Sequence, residues 1–443
     1  MPANEPADGR RPVSAIWAGR REPAGGKDVV MKRIDTIIIG GGQAGLAMSR
    51  CLTDEGIDHV ILERGRVAER WRSERWDSLR LLSPKWHSRL PGFSYQGDDP
   101  DGFMTMPEVI SYFEQYARSF SAPVQDETTV SSVRRASEAG YCVRTNQGDW
   151  LAPTVVVATG HCGVPFVPKA ANEIASDVHQ VVPSRYRNPE QLPDGGVLVV
   201  GASASGIQLA QEIHRSGRPV TLAVGRHTRI PRRYRGRDIT WWLETSGMLS
   251  ERADRAFNLE SARRQPSLQL VGTPDKQTLD LAVLQDEGVR LTGRLSDADG
   301  TRVSFCDDLQ RNIDAAEHKL DRVLGNIDRF IDETLMAADA RDRRPAIRVS
   351  GAPTELDLRD AGISTVLWAT GYRREYPWLN VPVLNIRGEI IHDEGVTNAA
   401  GLYALGLNFQ RTRKSSFIDG VGEDARALAA QLARRFHRSS IAA

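Results

Sequence analysis

Short apolar runs bounded by glycine recur along the chain: Ile34 to Ile39, "HVIL" at 59 to 62, "TVVV" at 154 to 157, "VLVV" at 197 to 200, Pro219 to Val224, and "STVLW" at 364 to 368. Such runs, continuous rather than alternating, predict strands buried on both faces. Two are followed by helical stretches, "LAMSRCLTDEG" from Leu46 and "IQLAQEIHRSG" from Ile207. Between 308 and 336, Leu309, Ile313, Ala316, Leu320, Leu324, Ile327, Ile331 and Leu335 recur every three or four residues. That spacing predicts a helix with one apolar face, with Gly325-Asn326 as a candidate break. Adjacent aromatics on a helix face different directions, so one of Trp241 and Trp242 is expected in the core. Strands alternating with helices define an α/β protein.

The turns between strand and helix carry the chemistry. Gly40-Gly41-Gly42-Gln43-Ala44-Gly45 reads G-x-G-x-x-G between the first strand and the first helix. Gly40 suits the tight turn, Gly42 lets a pyrophosphate approach the backbone, and Gly45 lets the helix sit close to the strand. Glu63 closes "HVILE", where a carboxylate can take a ribose hydroxyl pair. Gly201-Ala202-Ser203-Ala204-Ser205-Gly206 repeats the plan. A nucleophile elbow is disfavoured because position 205 is serine rather than glycine. After the following strand no acid appears; the chain reads Gly225-Arg226-His227. Without the carboxylate a 2′-phosphate is not repelled, and Arg226 offers a planar fork for it, which favours NADPH over NADH. The expectation is FAD held in the first site and NADPH passing through the second.

Composition narrows the partners. The 443 residues are 40% hydrophobic and 26% charged, with 58 Lys and Arg against 57 acids. No global field draws the chain to nucleic acid or an anionic membrane, and no apolar run reaches the roughly 18 residues of a span. Residues 1–33, rich in Pro, Gly and Arg, are expected to be a disordered extension, with Met31 a candidate start. Cys51, Cys142, Cys162 and Cys306 form no C-x-x-C, and the nine histidines form no zinc motif. Reduced thiols, a cytoplasmic location and no metal site are expected.

Two further segments, "TVVVATGHCGVPFVP" and "STVLWATGYRREYPWL", are strands ending in Ala-Thr-Gly. They resemble those of two-dinucleotide-domain flavoproteins, and "ATGYRREYPWL" is similar to the form in flavin-containing monooxygenases. "VAERWRSERWDSLRLLSPKWHSRLPG" (67 to 92) and the C-terminal "GLYALGLNFQRTRKSSFIDGVGEDARALAAQLA" resemble YUCCA-type class B flavin monooxygenases. The likeness spans nearly all of 34 to 435. It implies two Rossmann-like domains, with an NADPH domain (162–345, including the helical insertion 308–336) inserted into a discontinuous FAD domain (34–161 and 346–443). The chain departs from the family where His179 lacks its preceding Phe and Gly and Tyr186 is displaced. It departs again where Leu82 stands three residues before Lys85.

The resulting cofactor-binding candidates in the FAD domain are Gly40, Gly42, Gln43, Ala44, Gly45, Glu63, Arg64, Trp71, Val130, Ala158, Thr159 and Gly160. Gly201, Ser203, Ser205, Gly206, Arg226, Thr370 and Gly371 complete the set. Arg411, Arg413 and Lys414 read as a solvated loop, with a substrate carboxylate as the sharper alternative. No side chain is assigned as a catalytic acid or base. The resemblance implies transfer of one oxygen atom from O2 to a small organic substrate through a C4a-(hydro)peroxyflavin, 2-oxo acids being one class. The rival is an NADPH oxidoreductase passing electrons to a quinone or protein. A homodimer stays open.

Overall fold

A computed structural model describes residues 31–137, 140–349 and 351–441. The expected extension over 1–30 lies outside these. Lys32–Arg33, placed in that extension by sequence, instead pair parallel with Trp150–Leu151 as a short strand.

The first glycine turn joins strand β1 (Thr36–Ile39) to helix α1 (Gln43–Asp54), and α1 leads to strand β2 (His59–Leu62). Both strands lie in a seven-stranded sheet whose order is His392–Asp393, Val396–Thr397, Leu402–Ala404, Thr154–Val157, β1, β2, Val124–Gln125. The last five are parallel. Period-two alternation divides their side chains between two cores. Ile38, Ile61 and Val156 pack toward α1 and the C-terminal helix Val421–Ile441. Ile37, Ile39, Val60, Leu62, Val155 and Val157 pack toward an antiparallel meander that contributes Val133, Tyr141, Val143 and Trp150. With both faces covered, all four residues of β1 and of β2 are buried.

A second sheet repeats the arrangement. Strand β3 (Gly196–Val200), helix α2 (Ala204–Arg215) and strand β4 (Val220–Ala223) sit in a five-stranded parallel sheet. Its order is His179–Val181, Ile363–Trp368, β3, β4, Arg290–Thr292. Ile363–Trp368 therefore belongs to this sheet. The return to the first domain falls after Trp368, not at 346 as the sequence boundary had it, because the apolar run "ISTVLW" is buried only between two parallel neighbours. Between the sheets, Val164–Pro165 and Tyr372–Arg373 pair antiparallel, so both crossings run side by side.

Helix α3 (Leu309–Thr334) is continuous through Gly325. The predicted break is absent because the apolar face is held along its length: Leu320, Leu324, Ile327 and Ile331 pack with Trp242, Ile239, Ile230 and Tyr234. That burial outweighs the roughly 1 kcal/mol a mid-helix glycine costs. Leu335, expected on the same face, is instead the left-handed cap residue and 91% exposed. Of the two tryptophans, Trp242 is fully buried and donates to the Tyr234 carbonyl at 2.7 Å, while Trp241 lies under the Arg237 guanidinium.

Candidate functional site

The two glycine turns superpose in their bonding. Gly40 N–H donates to the Leu62 carbonyl at 2.9 Å, and Gly201 N–H donates to the Ala223 carbonyl at 2.9 Å. Both first glycines have positive φ, +111° and +108°. A side chain at Gly40 would run into the Ala158 carbonyl, and one at Gly201 into the Ala369 carbonyl. Each Ala-Thr-Gly segment thus begins directly beneath one turn: 158–160 beneath the first, 369–371 beneath the second. At the third glycines, Gly45 and Gly206, a Cβ would overlap the carbonyl oxygens of Gly40 and Gly201. Here hydrogen is the only substituent that fits.

A Cβ on Gly42 would meet nothing within 4 Å, so that edge of the first turn is open. Helix α1 starts there with no side-chain cap and no acid in its first turn, and α2 starts the same way at Ser203. Uncapped N–H groups and a positive dipole end are what a pyrophosphate requires. Gln43 reaches from α1 to the Ser416 carbonyl at 2.6 Å, tying the first turn to the C-terminal segment. Ala44 is buried against that segment, since a Cβ on Gly406 would lie 2.7 Å from its own.

The turns differ at the end that would hold ribose. The backbone register makes Leu62 equivalent to Ala223, and hence Glu63 equivalent to Val224. Glu63 Oε2 accepts from Gly41 N–H at 2.6 Å and Oε1 from Gly65 N–H at 3.0 Å. The carboxylate is aimed by backbone, and each oxygen keeps capacity for a hydroxyl. Val224 is fully buried and offers nothing polar. Two residues on, Arg226 is exposed and makes no hydrogen bond or ion pair among the described residues.

The other candidates fall into two groups. Trp71 is stacked over Phe113 at 6.5 Å with Arg75 against its ring, and Arg64 pairs with Glu74 at 3.0 Å at the surface nearby. Val130 packs against the meander core. Thr159 and Gly160 continue from Ala158 past the first turn, Gly160 with φ +75°. Thr370 and Gly371 lie in the second crossing: the Thr370 hydroxyl donates to the Phe166 carbonyl, and Phe166 N–H donates to the Gly371 carbonyl at 2.9 Å. Ser205 sits in the first turn of α2 beside Gly206.

Sequence reasoning missed a buried network that joins the domains. Lys414 Nζ lies 3.0 Å from Asp419 and 3.3 Å from Glu244, and Arg89 pairs with both acids. His87, 1% exposed, places Nε2 3.5 Å from Asp419 and 3.6 Å from Glu244. His87 and then Lys414 hold the Glu244 carboxyl down to about 2, against the opposing effect of burial. The grouping of His87, Glu244 and Asp419 resembles a ligand set, but Lys414 and Arg89 already balance the two carboxylates. A divalent cation would leave excess positive charge in a buried site. The network is an inter-domain clamp. Arg413 pairs with Glu251, and Arg411 with Glu394 at 2.6 Å, so Arg411, Arg413 and Lys414 are counter-charged rather than solvated. Apart from Asp419, five residues from Lys414, these partners lie 17 to 170 residues away in sequence and left no local signal. Lys85 is likewise engaged, with Asp99 and Glu108, each at 3.2 Å. Tyr186 is fully buried and donates to Glu212, and His179 stands exposed on an edge strand.

Two glycine turns of one plan, each set between parallel strands and only one followed by an acid, are the framework of a flavin oxidoreductase. Residues 37–246 match the pyridine nucleotide-disulphide oxidoreductase family model. An uncharacterised CzcO-like oxidoreductase of Geobacillus kaustophilus is 33% identical over 398 residues, covering 89% of this chain and 97% of its own. The probable indole-3-pyruvate monooxygenase YUCCA3 of Arabidopsis thaliana is 26% identical, covering 94% and 91%. The flavin-containing monooxygenase of Stenotrophomonas maltophilia shares the fold with a TM-score of 0.63 at 20% identity, over 91% of this chain and 99% of that one. The chain belongs to the CzcO-like oxidoreductases, and a flavin and a pyridine nucleotide are the cofactors of this class. Among the described residues no helix is long and apolar enough to cross a membrane.

Proposed function

We propose that this protein is an NADPH-dependent FAD monooxygenase that places one oxygen atom from O2 on a nitrogen, sulfur or carbonyl centre of a small organic substrate. The carrying observation is the paired turns with opposite ribose ends, Glu63 in one and buried Val224 followed by Arg226 in the other. The residues present fit FAD in the first site. Gly42 leaves room for the pyrophosphate, α1 supplies uncapped N–H donors, and Glu63 is aimed for a ribose diol. They fit NADPH in the second, where Ser203 and Ser205 line an uncapped helix start and Arg226 is free to meet a 2′-phosphate. When bound, the flavin supplies hydride acceptance from the nicotinamide and activation of O2.

The chain's part is placement and exclusion of water. The paired antiparallel crossings and the Lys414, Asp419, Glu244, Arg89 clamp fix the domains against each other, which keeps a hydride donor and acceptor in register. Shielding the reacting centre suppresses loss of the oxygen as H2O2. The YUCCA relatives, named as indole-3-pyruvate monooxygenases, make 2-oxo acids one substrate class to test. Cys51, Cys142, Cys162 and Cys306 are all free, and no pair is spaced as a C-x-x-C relay, so the reading does not extend to disulfide reduction.

The test is anaerobic reduction of the yellow protein by NADPH, followed by isotopically labelled O2 in the presence of amines, sulfides and 2-oxo acids. One labelled oxygen atom in a product is the expected result. Quantitative H2O2 with every substrate would overturn oxygenation and favour electron delivery to a quinone or protein.

A further inference from the structure

Helix α3 is docked onto the end of β4, at the position where the first domain keeps its ribose-binding acid. Asn312 Nδ2 donates to the Val224 carbonyl at 3.1 Å. Arg229, buried, is shared between Asp280 on one side and Glu317 of α3 on the other. Asp308, just before the helix, accepts from Arg294 N–H at 2.9 Å. The helix is thereby fixed in rotation as well as position.

On that helix Asn312, Ala316 and Lys319 fall at i, i+4 and i+7, one stripe on one face. Asn312 and Ala316 are buried, and Lys319, next along the stripe, is half-buried. Its ammonium is near enough to Arg226 to repel it; burial first, then Arg226 and Arg322, lower the Lys319 pKa. Burial first, and then Lys319 among its neighbours, disfavour a proton on buried His227, whose Nε2 has no hydrogen-bond partner. Neither Lys319 nor Arg226 has an acidic partner among the described residues. The neighbouring cation Arg294, beside Gly225, is already committed to Asp308 and Cys306, and Glu317 to Arg229 and Arg344. Lys319 and Arg226 are neighbouring cations with no anion between them among the described residues, an electrostatic vacancy of one sign.

The geometry points to Lys319 of α3 and Arg226 after β4 as two jaws of a clip for the 2′-phosphate of NADPH, so that the helix packed onto the second domain sets the cofactor preference. The inference rests on the dinucleotide reading of the second turn. A phosphate between the two would neutralise both and relieve the repulsion that opposes their approach. The nicotinamide end and the hydride step are untouched by it, so the clip acts on recognition and not on chemistry.

The experiment is calorimetric titration of the flavin-loaded protein with 2′,5′-ADP and, separately, 5′-AMP, which differ only by that phosphate. Lys319→Ala is expected to weaken 2′,5′-ADP about ten-fold and leave 5′-AMP unchanged, with Lys319→Glu stronger and Lys319→Arg near wild type. Arg329→Ala, on an exposed position further along α3, serves as the control and is expected to change neither. Equal weakening of both nucleotides by Lys319→Ala would overturn the clip in favour of a structural role, as would unchanged discrimination. Wild-type protein binding neither nucleotide would overturn the dinucleotide reading and the clip together. Wild-type protein that favours 2′,5′-ADP, with a Lys319→Ala variant that does so equally, would sink the clip alone.

Discussion

The two nucleotide turns share a skeleton and differ in chemistry. Gly40 and Gly201 have the same φ sign, bond to the same register position and rest on the same Ala-Thr-Gly carbonyl; Gly45 and Gly206 are forced by the same overlap. What separates them begins at the residue after the second strand, Glu63 against Val224. On the function proposed above, the backbone plan sets where a dinucleotide lies, and a few side chains at the ribose end choose which one.

The largest expected effects come from the overlapping glycines. Gly45→Ala should yield protein largely without flavin, because the added methyl forces α1 away from β1 at a cost of about 1–3 kcal/mol on top of the lost pyrophosphate cradle. Gly206→Ala should keep its flavin, measured from the absorbance ratio of purified protein, yet lose reduction by NADPH. Flavin loss in Gly206→Ala with retention in Gly45→Ala would invert the assignment of the two sites. Next, Glu63→Gln should weaken FAD by about ten-fold to a hundred-fold, the range for a hydrogen bond to a charged group. Fluorescence titration of apoprotein checks it, and NADPH affinity should stay put. Smaller again, Arg226→Ala should raise KM for NADPH about ten-fold while KM for NADH is unmoved. If both rise together, Arg226 serves the fold of the second domain rather than its choice of nucleotide.

The comparison also shows what a sequence discloses. Both turns and the strands around them were legible because they are local: an apolar run, glycines at fixed offsets and an amphipathic helix lie within some thirty residues. The helix over 309–334 was equally plain, since its stripe is periodic. Its unbroken course through Gly325 was not, because the packing that holds it comes from Trp242, Tyr234 and Ile230, distant in the chain. The boundary placed at 346 failed for a related reason. Ile363–Trp368 looks like any buried strand, and only pairing with β3 reveals which sheet owns it. The clamp of Lys414 with Glu244 and Asp419 had no sequence signature at all, for charges carry no periodicity and their partners are set by topology.

The weakest predicted effect bears on the segment beside the first site. Asp424, in the opening turn of the C-terminal helix, is fully buried, and neither carboxylate oxygen has a hydrogen-bond partner. Burial pushes its pKa from 3.8 up to about 7, with Ser415 and Arg411 only partly offsetting the cost. The Ser415 hydroxyl already accepts from Arg411 and Thr412 N–H, at 3.0 and 2.9 Å, which shapes the loop that docks on the second domain. Because the folded pKa is raised, the folded state binds more protons than the unfolded chain between pH 3.8 and about 7. Stability from this group is therefore greatest below 3.8 and falls as pH rises through that window. Asp424→Asn removes the titration. Its melting temperature relative to wild type should climb steadily from pH 4 to about 7 and then level off. The first domain has this buried acid in its C-terminal helix, whereas the second domain's buried acids Asp280, Asp308 and Asp328 are each paired with an arginine. A flat difference across the window would mean that a donor reaches Asp424 in solution, making the two domains alike in this respect too.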